Sequence, residues 1–158
     1  MKTIAFVAIP LLLAGQSAFA GTAEGNGALS LTALVAELSP AVQGADRTLL
    51  FKYLAGEPKT PHPPGKKITV KSEQVACRIS DVDITQHSCE LNFGAKKVAI
   101  KGRKAHELYA TLAEVGVPSE GAAGSIIEAL SNLDCTIDAD EVKQESGGGA
   151  HCKYDPPK

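Results

Sequence analysis

Five cations fall within nine residues at Lys96, Lys97, Lys101, Arg103 and Lys104, where a strand-like run passes through Gly102 into a helix. Positive side chains oppose the dipole at a helix N-terminus, and the unpaired N–H groups there favour an anion. A carboxylate or phosphate on a partner protein, glycan or lipid head group is the chemistry this corner would recognise. The competing reading is an edge strand that lysines keep from aggregating. His106 and Glu107 follow, but adjacent residues on a helix point in different directions and do not form an acid–base pair.

The second group is Cys77, Cys89, Cys135 and Cys152. Each sits in an alternating segment: Val75, Cys77 and Ile79; Cys89, Leu91 and Phe93; Leu133, Cys135 and Ile137; Ala150, Cys152 and Tyr154. Short polar connections join the first two and the last two. This predicts hairpin disulfides Cys77–Cys89 and Cys135–Cys152, each removing about 3 kcal/mol of unfolded-state freedom on a chain-entropy model. His87 and His151 next to these cysteines raise zinc as a rival, but no C-x2-C pair is present and the spacing fits no zinc site. The lack of C-x-x-C also argues against a redox pair.

Other constellations are weaker. Asp134, Asp138, Asp140, Glu141 and Glu145 supply only the opening of a calcium loop, and Asp81 and Asp83 read as turn formers. Gly147-Gly148-Gly149 lacks the lysine and flanking elements of a phosphate cradle and reads as a flexible hairpin tip. Ser72, Ser80, Ser88, Ser125, Ser131 and Ser146 lie in neither G-x-S-x-G nor S-x-x-K. No catalytic residue, metal or cofactor is therefore assigned.

An address comes from the first 20 residues. Lys2, the apolar run Ile4 to Leu13 and Ala18-Phe19-Ala20 form an export leader, with cleavage expected at Ala20/Gly21 and the mature chain in a periplasm or secreted. The apolar run is too short to span a bilayer. With Lys2 gone, 15 of the 16 Lys and Arg remain against 18 Asp and Glu, a net charge of −3 with His neutral. That balance argues against nucleic acid as the partner. Phe51, Tyr53, Phe93, Tyr109 and Tyr154 are the only aromatics left, too few for a stacking platform.

The elements that must position these groups follow from periodicity. Residues 21–28 are small and polar and read as a disordered lead-in; 29–158 then form a single domain. Ser30 to Leu38 has helical spacing, and Ser39-Pro40 suggests an N-cap for a helix from Ser39 to Ala55. Residues 57–67 carry Pro58, Pro61, Pro63 and Pro64 and form a stiff connector inside the domain, with an exposed binding strip as its functional alternative. From Ile68 the period changes to two through Ile100, an antiparallel meander. Helices are expected at Arg103 to Val115 and Ala122 to Asn132.

The expectation is an α+β domain: an antiparallel sheet of about five to six strands, one face covered by two to three helices, stapled by two disulfide hairpins. Small size, disulfides and missing catalytic signatures point to an exported non-enzymatic binding protein, an inhibitor or accessory factor of an extracytoplasmic enzyme. Its partner is a protein or an anionic envelope component. The alternatives are a small envelope hydrolase using His106 or His87 as base, and a periplasmic metal carrier using His87 and His151.

Overall fold

The computed structural model describes residues 21–57, 59–122, 124–142 and 148–157. Residues 1–20, where an export leader was expected, and Glu145 lie outside them. Seven strands and three helices follow in the order β1 (Gly21–Glu24), α1 (Gly25–Leu38), α2 (Gly44–Leu54), β2 (Lys67–Ser80), β3 (Ser88–Asn92), β4 (Lys97–Lys101), α3 (Arg103–Glu114), β5 (Ser119–Ala122), β6 (Ser125–Asp138) and β7 (Ala150–Asp155). A 3-10 turn at Ile84–Gln86 links β2 to β3. The strands form one antiparallel sheet in the order β1-β7-β6-β2-β3-β4. β5 pairs with the first residues of β6, on the edge that β7 occupies further along.

One face of this sheet is apolar because the alternation places Ile68, Val70, Val75 and Cys77 of β2 and Leu130, Leu133, Cys135 and Ile137 of β6 on it. All are buried, and the helices cover them. α1 packs on β7, β6 and β2, and α3 on β2, β3 and β4. Ala28, Ala33 and Ala36 let α1 lie close, so its body is buried on most sides. The opposite sheet face is polar, with cross-strand ion pairs Lys67–Asp138 (3.3 Å) and Lys71–Asp134 (2.6 Å). Disulfides join Cys77 to Cys89 and Cys135 to Cys152, each between directly opposed residues of neighbouring strands.

The α+β domain, its one-sided helical cover and both disulfides are as the alternation predicts. Several elements differ. Where a helix was expected from Ala122 to Asn132, Ala122 ends β5 and Ser125 to Asn132 belong to β6, which shares an irregularity with β2. Asn132 has φ 52°, and it lies opposite Glu73 in the β2–β6 ladder. Across that point both strands repeat a face: Ser72 and Val75 point inward on β2, Leu130 and Leu133 on β6. An inward spacing of three breaks the alternation of both strands and splits β2 into what read as two strands. Ser72 ties the kink down, with its hydroxyl 2.8 Å from the Gln74 and Asn92 carbonyl oxygens.

Residues 21–28 are not a disordered lead-in: Gly21 to Glu24 pair with Tyr154 to His151, and α1 starts at Gly25. Pro40 ends α1 rather than starting α2. It holds Ser39 extended at ψ 133°, and α2 begins at Gly44. Two helices end at glycines. Gly56 (φ 80°) closes α2 with Glu57 N–H on the Lys52 carbonyl, and Gly116 (φ 80°) closes α3 with Val117 N–H on that of Leu112. At the end of the supposed flexible tip, Gly149 is buried with φ 83° against the Asp138 carbonyl. Gly147 lies outside the described residues.

Candidate functional site

The β3–β4 hairpin builds the basic corner. Its turn is closed by Phe93 N–H on the Lys96 carbonyl (2.8 Å), and its far end by Gly102 N–H on that of His87 (2.8 Å). Between these bonded pairs the register runs Asn92↔Lys97, Leu91↔Val98, Glu90↔Ala99, Cys89↔Ile100 and Ser88↔Lys101. Bonded and non-bonded pairs alternate along an antiparallel ladder. Val98 and Ile100 therefore bond to β3, while Lys97, Ala99 and Lys101 turn their N–H and C=O groups away. Among the described residues nothing pairs on that side, where β4 ends the sheet. The side chains follow the same rule: Val98 and Ile100 are half-buried, and Lys97, Ala99 and Lys101 are exposed.

Four of the five cations singled out by sequence surround this edge. Lys96, Lys97, Lys101 and Arg103 are exposed and make no ion pair among the described residues. Lys104 is drawn off to Glu37 of α1, in an ion pair that ties α3 to α1. Gly102 (φ 62°) makes the bend from β4 into α3, and no side chain caps the helix N-terminus.

Behind the corner lies a titratable cluster that the sequence only half revealed. Glu128 of β6, Cys77 of β2 and Cys89 of β3 form one inward row across the sheet, so Glu128 lies beside the Cys77–Cys89 disulfide. It is 2 % exposed, its Oε2 has no hydrogen-bond partner, and burial pushes its carboxyl up to about 7. His87 is buried too, with its Nε2 2.9 Å from the Ser80 carbonyl oxygen. Since a carbonyl only accepts, Nε2 carries the proton in the neutral ring and Nδ1 is left as a buried acceptor without a partner. The His106 ring is 5.1 Å away and its Nδ1 is likewise unpartnered; Tyr109 follows at 6.3 Å. Burial, with the nearby Glu128, raises the Tyr109 hydroxyl above its ordinary value.

His87 and His106, read separately from sequence, thus meet. Tyr109 and Glu128 fell within expected helices and were not singled out; an inward carboxylate in the row of the Cys77–Cys89 disulfide is visible only once β6 is recognised as a strand. Among the described residues neither ring is hydrogen-bonded to a hydroxyl; His87 is oriented by its bond to the Ser80 carbonyl.

The residues of the metal reading do not come together. All four cysteines are in disulfides, and His151 stands exposed on β7 with its Nδ1 3.7 Å from Glu24 of β1. Asp134 and Asp138 pair with lysines, and Asp140 accepts the Gly65 N–H (2.7 Å). No three metal-ligating side chains converge among the described residues. Asp83 caps the 3-10 turn by accepting the Thr85 N–H (2.8 Å), which lowers its carboxyl, the role a turn former was expected to play.

No protein-family model matches the chain, and no curated protein or solved structure matches it.

Proposed function

We propose that this chain is a non-enzymatic extracytoplasmic binding protein that captures an acidic, extended segment of a partner protein as an added strand beside β4. The observation that carries the reading is the free row of backbone groups at Lys97, Ala99 and Lys101, flanked by cations without partners. Main-chain bonds to such a row supply affinity, and side chains at alternate positions supply selectivity. A segment with carboxylates four residues apart would face Lys97 and Lys101, with a small residue opposite Ala99.

The same arrangement refuses a second copy of the chain. Two β4 strands paired antiparallel about Ala99 would set Lys97 against Lys101 twice, and like charges directly opposed are unfavourable. The lysines that protect the edge from aggregation therefore leave it open to an acidic strand. Export from the cytoplasm rests on the leader-like first 20 residues, and the two disulfides fit an oxidising compartment. Among the described residues no helix is long and apolar enough to cross a membrane.

Calorimetric titration with the peptide acetyl-Glu-Val-Ser-Val-Glu-amide tests the reading. Binding should weaken about tenfold in Lys97→Glu/Lys101→Glu, the sum of two lost attractions and two new repulsions. Equal affinity for the wild type and this variant would remove β4 as the site.

A further inference from the structure

A second site lies between α2 and the proline-rich connector and shares no residue with the β4 edge. A cleft of about 430 Å³ opens there, within the range of small-molecule sites. One wall is a stripe of α2 in which Ala45, Thr48, Leu49 and Lys52 recur at helical spacing and line the cleft. The other is Thr60, Pro61, His62 and Pro63.

This second wall is held before any ligand arrives. Proline rings fix the backbone at Pro61, Pro63 and Pro64. The Gly65 N–H is anchored to Asp140, Lys66 N–H to the Pro63 carbonyl, and the Ala139 N–H to that of Lys66, which fastens the connector to the end of β6. His62 is fixed on one side, its Nδ1 3.2 Å from the Pro63 carbonyl oxygen and 3.6 Å from Asp140. A wall ordered in advance leaves little ordering cost for binding.

The charges define the ligand. Asp46 and Lys66 neutralise each other at 2.6 Å at the rim. Lys52 lines the cleft with no ion pair among the described residues, and the Nε2 of His62 makes no hydrogen bond among them. One cation and one imidazole nitrogen thus remain above the apolar surface of Ala45, Leu49, Pro61 and Pro63. We infer that this cleft binds a small carboxylate with an apolar body, its carboxylate at Lys52 and its body between Leu49 and the prolines.

The test is a two-dimensional NMR titration of the whole chain with benzoate and hexanoate, against benzamide and benzylammonium. Both carboxylates should give saturable shifts confined to residues 45–52 and 60–66. Benzamide should bind about fivefold more weakly or worse, as expected for loss of one partly exposed charge contact. Lys52→Gln should cause the same loss for benzoate, whereas Lys71→Gln, on the polar sheet face, should cause none. An undisturbed spectrum of the free variant shows that it has folded. Absence of saturation with both carboxylates, or equal affinity for benzoate and benzylammonium, overturns the inference, and neither result bears on the β4 edge.

Discussion

Glu128→Gln should change how stability depends on pH, and the structure fixes both direction and size. The Glu128 carboxyl rises from 4.5 to about 7 because burial beside the Cys77–Cys89 disulfide disfavours its charge. At about 1.4 kcal/mol per pH unit that rise is worth about 3 kcal/mol. Below pH 4.5 the folded and unfolded chains both hold the proton and Glu128 contributes no slope. Between 4.5 and about 7 the folded chain keeps a proton that the unfolded chain has released, so stability falls as pH rises; above about 7 the loss is complete. Glutamine keeps the shape and cannot ionise. Urea unfolding with disulfides intact, followed by circular dichroism at pH 5, 6, 7 and 8, should find the variant close to wild type at pH 5. By pH 8 it should be more stable by about 3 kcal/mol. His87 and His106 remain in both proteins, so their own titration largely cancels in the difference. A difference between the two proteins that stays constant across this range would refute the buried, proton-holding Glu128.

Four further outcomes follow from the packing and the cross-links. Removing residues 21–24 deletes the β1–β7 pairing and should cost about 2 kcal/mol or more in urea unfolding, where a dispensable lead-in would cost nothing. Gly149→Ala puts a methyl group 2.8 Å from the Asp138 carbonyl oxygen at φ 83° and should lose about 1–3 kcal/mol. In Gly121→Ala the same methyl meets nothing within 4 Å and thermal unfolding should be little changed. The double variant Cys135→Ala/Cys152→Ala opens a 17-residue loop and should lose about 3 kcal/mol, measured against wild type under non-reducing conditions.

What could be read in advance was whatever depends on local period. Cysteine alternation on either side of short connections predicted both disulfides. Ile126, Ile127 and Leu130 misled because their spacing reads as helical, whereas in β6 Leu130 is buried and Ile127 is exposed on the other face. β1 was hidden because Gly-Thr-Ala-Glu has little strand preference, and its stability comes from β7, far away in the chain. The basic corner was legible as charge. What makes it a candidate surface, the backbone groups left free at Lys97, Ala99 and Lys101, depends on sheet order. The removal of Lys104 by Glu37 and the meeting of His87, His106, Tyr109 and Glu128 are likewise long-range consequences of packing.

The central claim is that β4 accepts an acidic strand through its outward backbone groups, and amide hydrogen exchange on the isotopically labelled chain reads those groups directly. With saturating acetyl-Glu-Val-Ser-Val-Glu-amide, exchange at Lys97, Ala99 and Lys101 should slow while Val98 and Ile100, already bonded to β3, stay as they were. The same peptide with lysine in place of glutamate should have no effect. Unchanged exchange at Lys97, Ala99 and Lys101, or equal slowing with the lysine peptide, would contradict the account.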